Sequence, residues 1–110
     1  MTPRELELLQ GTLDVLVLRA LSWGPKHGYA VARFIREGSR EAFKVLDGAL
    51  YTSLHRMEER GWVEAEWGTS ELGRRAKLYR LTDAGRQQLE AEMATWRRFS
   101  TGVSKVLLST

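Results

Sequence analysis

The stretch D-G-A-L-Y-T-S-L-H-R-M-E-E-R-G-W-V, from Asp47 to Val63, decides the fold. Leu50, Leu54 and Met57 recur at steps of four and three, which puts them on one stripe of a helix. Tyr51, Thr52, Ser53, His55 and Arg56 are left on its flanking and outer faces. Such a helix has one side for a core and one for a partner. Asp47 is placed to cap its start by accepting an orphan backbone N–H, and Gly61 is placed to stop it, because glycine takes the left-handed turn at little cost. An alternating run follows from Trp62 to Trp67, then a polar loop holding the turn residues Gly68 and Gly73, then a second run from Lys77 to Leu81. That pattern predicts a two-stranded hairpin with a long tip. Helix then hairpin is the skeleton of a winged helix, an α+β fold that is mostly helical.

Upstream, Thr2-Pro3-Arg4-Glu5 has the form of a capping box and predicts a helix start. Leu6, Leu9, Leu13, Leu16, Val17, Ala20 and Leu21 keep helical spacing, while Leu8, Val15 and Leu18 widen the apolar surface beyond one stripe. We expect one long helix with Gly11 as its weak point. Its own domain covers one side and a partner subunit meets the other at Leu9 and Leu13; a central core helix is the alternative. Gly24-Pro25 breaks the chain, and Tyr29, Val31, Phe34 and Ile35 predict a second amphipathic helix ended by Gly38. Phe43 to Val45 is a short extended segment. Two helices separated by a turn, the second presenting polar residues outward, follow the helix-turn-helix plan for a major groove.

Thr82-Asp83 caps the last helix, where Leu89, Met93, Trp96, Val103 and Leu107 fall on a seam of four and three residue steps. Phe99 and Ser100 share its one irregular turn, and Gly102 with the polar ending after Leu108 predicts fraying. The helix projects past the point where a winged-helix core is complete, so a partner must cover it. A two-fold pairing with the same helix of a second subunit is the economical answer. The expected organisation is a winged-helix domain over residues 1–82 and a dimerisation helix over 83–110.

One hundred and ten residues make one domain, small enough that an extra helix needs a second copy to bury its apolar face. Seventeen Lys and Arg against fourteen Asp and Glu is only mildly basic, but Arg74, Arg75, Lys77 and Arg80 crowd the hairpin. With no cysteine, a disulfide and a thiolate metal site are both excluded, and two distant histidines do not suggest metal ligation. No cofactor is expected. The longest apolar streak, Val15 to Leu18, cannot span a bilayer, and no secretory start is read, so a soluble cytoplasmic protein is expected. Ser53 and His55 are helix neighbours aimed apart, with no carboxylate or oxyanion loop beside them, so no catalytic residue is assigned.

A nucleic-acid reading rests on three features together: the outward surface of Tyr51, Thr52, Ser53, His55 and Arg56, the basic hairpin tip, and the two-fold dimer. Each alone has an ordinary explanation. An arginine-rich loop is by default a solvated surface, Tyr51 a core aromatic with its hydroxyl at the rim, and His27 a cap or surface group.

Several motifs together resemble the PadR-like bacterial transcriptional regulators across nearly the whole chain. They are G-T-L-D-V-L-V-L-R-A-L at 11–21, H-G-Y at 27–29, L-Y-T-S-L-H-R-M-E at 50–58 followed by G-W-V, and G-R-R-A-K-L-Y-R-L-T at 73–82 before A-G at 84–85. The resemblance, to the short-tailed branch of that family, implies a winged-helix repressor that binds double-stranded DNA at a pseudo-palindromic operator as a homodimer. It places Tyr51, Thr52 and His55 on a recognition helix, Arg74, Arg75 and Lys77 on a wing, and Tyr29 beside a phosphate-facing turn. It also implies that the terminal helix is the dimerisation arm and, from some short members, that a small aromatic effector enters beside Trp96; release of the DNA and tighter binding are both open as its effect. Two positions depart from the family pattern: Thr52 stands where many members have proline, and Ala76 separates the basic pair from Lys77. The alternative reading is a winged-helix ligand-sensing or protein-interaction module that does not read DNA.

Overall fold

A capping box opens the first helix, α1 (Pro3–Gln10), of the computed structural model, which describes residues 1–109 apart from the Gln10 side chain. The Thr2 hydroxyl accepts the Glu5 N–H at 3.1 Å, and the Glu5 carboxylate accepts the Thr2 N–H at 3.3 Å. The single long helix expected here is in fact two. α1 closes at Gly11, and α2 (Leu13–Ser22) starts after Thr12, whose backbone leaves the helical region at φ −120°. The reason is local: glycine is a poor helix former, and the Thr12 hydroxyl donates back to the carbonyls of Leu8 and Leu9 at 3.3 and 3.2 Å, satisfying helix-end acceptors. Leu9 and Leu13, expected at a subunit contact, are both buried within the one chain.

α2 is the central element. Its Leu13, Val17, Leu18, Ala20 and Leu21 meet Val31 and Ile35, then Leu50, Leu54 and Met57, then Leu89, in one core that Val63, Tyr79 and Leu81 of the sheet complete. After α2 comes a two-residue strand that sequence periodicity missed, β1 (Lys26–His27), followed by α3 (Gly28–Gly38). Phe43 to Val45 form no strand. The chain turns through positive φ at Arg40 and Glu41, and Phe43 and Val45 pack against the core without a ladder partner.

α4 (Asp47–Glu59) follows the expected span. Asp47 is not its cap: Leu46 occupies that position without a side-chain bond, and Asp47 sits in the first turn, where its charge favours the positive end of the helix dipole. The stop is as read, with Gly61 at φ +77°. β2 (Val63–Thr69) and β3 (Arg75–Leu81) then form an antiparallel ladder in the sheet order β1-β3-β2, in register at Val63↔Leu81 and Trp67↔Lys77. The hairpin root is tied to the helices at both sides. The Thr82 hydroxyl donates to the Gly61 carbonyl at 2.7 Å and accepts the Gly85 N–H at 3.0 Å, opening α5 (Asp83–Leu108).

α5 is a single helix that runs through Phe99, Ser100 and Gly102, where an irregular turn and fraying were expected. A lone interior glycine costs about 1 kcal/mol relative to alanine, too little to break a helix flanked by good formers. Leu89 is buried and Met93 packs against the core, so the first part of the expected dimer seam is spent inside the chain. From Trp96 onward the apolar face is open. Among the described residues, no helix is long and apolar enough to cross a membrane.

Candidate nucleic-acid interface

Burying Leu50, Leu54 and Met57 turns Tyr51, Thr52 and His55 of α4 to solvent. Tyr51 is held in place by contact: its ring lies on the backbone of Gly28, where an added Cβ would stand 2.6 Å from the phenol oxygen. Tyr29, one residue on, is exposed and stacks on His27 with ring centres 5.8 Å apart, while the Arg33 guanidinium lies 5.9 Å from its ring. His55 bonds the Glu59 carboxylate at 2.8 Å on the solvent side of the helix. This exposed pair opens at little cost.

The core face of the hairpin continues past its buried end. Residues two apart on a strand share a face, so Trp67 follows Val63 and Ala65, and Lys77 and Arg75 follow Leu81 and Tyr79. These three exposed or half-exposed side chains reach a cleft of about 520 Å³ beside α4, which His27, Tyr51, His55 and Glu58 also line. Arg75 and Lys77 lie 4.6 and 5.6 Å from the Trp67 ring centre, which aligns both cations along the indole. Lys77 is also pinned: its ammonium is 3.6 Å from Glu58, and its carbonyl accepts the Nδ1–H of His27 at 2.8 Å. Arg74 and Arg75 are exposed. Arg80, the fourth member of the basic run, is on the opposite face of the sheet, paired with Glu64 and Glu66.

Two residues expected on the outer surface of α4 are turned inward. Ser53 is fully buried, and its hydroxyl donates to Asp14 Oδ1 at 2.6 Å. Arg56 forks onto the same carboxylate, with Nε 3.0 Å from Oδ2 and Nη2 2.5 Å from Oδ1. Burial pushes the Asp14 carboxyl up, but the bonds from Arg56 and Ser53 and the charges of Arg56 and Arg60 outweigh it and hold the group below the usual carboxylate range. Sequence reasoning missed Asp14 because its partners are 39 and 42 residues away. The one signal was a lone acid on an otherwise apolar stretch of α2. Tyr79 is buried, and its phenol is pushed up by burial and by the charge of Glu58.

At the far end, Trp96 is 51% exposed with Phe99 tilted beside it at 6.4 Å. They line an apolar groove between α5 and α1, with Leu8, Leu9, Phe43 and Val103 as the other apolar walls. Leu107 is exposed. Among the described residues, no cluster of His, Asp or Glu is arranged to hold a metal ion.

A helix-turn-helix pair followed by a two-stranded wing, with an exposed polar helix face beside wing cations, defines a winged-helix regulator. The chain belongs to the transcriptional regulator PadR-like family, whose profile matches residues 17–91. It is similar to a PadR family transcriptional regulator of Eggerthella lenta, at 32% identity and a TM-score of 0.80 over 97% of this chain and 91% of that one. A PadR-like transcriptional regulator of Bacillus cereus is 29% identical, with a TM-score of 0.80 over 94% and 99% of the two chains. PadR of Bacillus subtilis, determined in complex with operator DNA, shares the fold at 22% identity and a TM-score of 0.66. That match covers 74% of this chain and 46% of the longer Bacillus subtilis protein. Family and fold are those of transcriptional regulators, not of enzymes.

Proposed function

We propose that the protein is a homodimeric repressor that reads a pseudo-palindromic operator in double-stranded DNA. α4 lies in the major groove with Thr52 and His55 at base edges, Tyr29 and Tyr51 flank it at the backbone, and Arg74 and Arg75 reach neighbouring phosphates. The observation that carries this reading is the cleft in which the exposed side of α4 and the wing cation Arg75 face the same solvent region. Pairing across a two-fold axis accounts for Trp96, Phe99, Val103, Val106 and Leu107, an apolar face that the chain itself leaves exposed. A flat aromatic compound in the groove beside Trp96 is the effector that lifts repression. Work on chromosomal DNA puts the protein in the cytoplasm.

Footprinting on the DNA upstream of the protein's own gene tests the reading. Two protected half-sites about ten base pairs apart are expected, the spacing at which a two-fold dimer meets one groove face. Arg74→Ala with Arg75→Ala should weaken binding to all duplexes alike and lower the salt slope by roughly one unit for each phosphate no longer neutralised. Absence of any salt-dependent duplex binding would favour the module that senses a ligand or protein instead. That second reading draws on one observation: Arg56 and Lys77, two of the expected DNA cations, are already paired with Asp14 and Glu58.

A further inference from the structure

Asp14 takes three hydrogen bonds from α4, and all come from one face of that helix. Ser53 and Arg56 are three residues apart and therefore neighbours on the helix surface. Their immediate predecessors, Thr52 and His55, are each displaced by about 100° around the same axis. Fixing positions 53 and 56 against α2 therefore fixes the direction in which positions 52 and 55 point.

The apolar contacts beneath α4 cannot do this alone. Leu50, Leu54 and Met57 hold the helix down, but hydrophobic burial has no preferred direction and tolerates small rotations and slides. A guanidinium fork on a carboxylate has a defined plane and two defined distances. The bond from fully buried Ser53 adds a third fixed point on the side away from solvent. Arg56 itself is 40% exposed at its side chain, so water reaches the pair without separating it.

We propose that Asp14 is a positioning residue for DNA reading: by gripping Ser53 and Arg56 it sets the rotation and depth at which α4 presents Thr52 and His55, and it withdraws Arg56 from the DNA-contacting set. The proposal rests on the DNA-binding reading above, and it opposes the simpler view that Arg56 is a free cation for phosphate. The two views predict opposite signs. If Arg56 serves phosphate, breaking its bond to Asp14 frees a cation and tightens binding to any duplex. If Asp14 positions α4, the same change blurs selection of the operator and leaves random DNA bound as before.

The test uses the full-length protein and the variants Asp14→Asn, Arg56→Lys and the double variant. Asp14→Asn keeps the shape and removes the charge, while Arg56→Lys keeps the charge and removes the fork. Binding is measured on the footprinted operator and on a random duplex, and amide hydrogen exchange is followed in the free protein over residues 50–57. The ratio of operator to random affinity should fall by roughly fivefold or more in each single variant, the effect of about one mis-read base pair. The double variant should be no worse than either single one, because the same interaction is missing from all three. Exchange over 50–57 should quicken while the centre of α2 stays protected. Tighter binding of Asp14→Asn to both duplexes would overturn the proposal, as would a lowered melting temperature with the affinity ratio unchanged. A wild type that does not distinguish operator from random DNA would sink the DNA reading instead. Hydrogen exchange then decides alone: unchanged protection in Asp14→Asn overturns the role of Asp14.

Discussion

α4 and α5 carry the same kind of apolar stripe and dispose of it in opposite ways. α4 buries Leu50, Leu54 and Met57 completely beneath α2, gains a polar tie through Asp14, and keeps its polar side for the outside. α5 uses Leu89 and Met93 on the same core, then runs on to Leu108 with Trp96, Phe99, Val106 and Leu107 uncovered. The difference lies in where the core ends, since a helix rising about 1.5 Å per residue outruns its neighbours within a few turns. Periodicity reveals that a helix has an apolar face. It does not reveal whether the same chain supplies the cover.

The contrast breaks most visibly if the uncovered part is removed. Deleting residues 95–110 spares Leu89 and Met93, so the winged helix should stay folded while self-association disappears altogether. Sedimentation should give a monomer, and its melting temperature should stop depending on protein concentration. A truncated chain that still sediments as a dimer would place the subunit contact elsewhere. Leu54→Ala is next in size: a fully buried leucine removed from under α4 should lower stability by about 2 to 5 kcal/mol, read from urea unfolding and independent of protein concentration. A loss that shrinks at high concentration would mean that α4 also depends on a partner.

A pH titration sharpens the same contrast, because α4 has a titratable tie and, among the described residues, the open end of α5 has none of that kind. Asp14 is held below its ordinary, unfolded value, so the folded state binds fewer protons in that range. Its contribution is therefore complete above that value and drains away as pH falls through the lower folded one. The urea midpoint of the wild type should drop more steeply below about pH 4 than that of Asp14→Asn. Parallel acid limbs would show that the carboxylate contributes nothing net. The smallest effect is that of Leu107→Ala, at 73% exposure within one chain. In dilute solution it should change stability by less than about 0.5 kcal/mol, as exposed positions do, and at high concentration by more. A large effect in the dilute monomer would show that α5 folds back on its own core.

Much of the frame was legible because it is local. The α4 stripe, Gly61 after it, the alternating hairpin strands, and Thr82 before α5 each depend on residues a few positions apart. Long-range features were not. β1 has two residues and no period, and exists because β3 offers Lys26 and His27 an edge. The break at Gly11-Thr12 turns on a threonine bonding back to two carbonyls, which competes with helix continuation in a way that spacing cannot weigh. Ser53 and Arg56 are polar residues on a helix, and only the approach of α2 makes their side of it an interior. In the candidate interface Tyr29, Tyr51, Thr52, His55, Arg74 and Arg75 are exposed, while Lys77, like Arg56, already has a carboxylate partner.

The seat of Tyr51 on Gly28 bears on anyone who wishes to rewrite this surface. Thr52 and His55 stand in open solvent and can be exchanged one at a time, like letters in a word. Tyr51 cannot: any side chain at position 28 would occupy the space its ring takes, and any smaller residue at 51 would leave a hollow above a bare glycine. The two positions, twenty-three residues apart by their numbers, form a single unit of spelling. Libraries that vary 51 while holding 28 constant would sample only half of it.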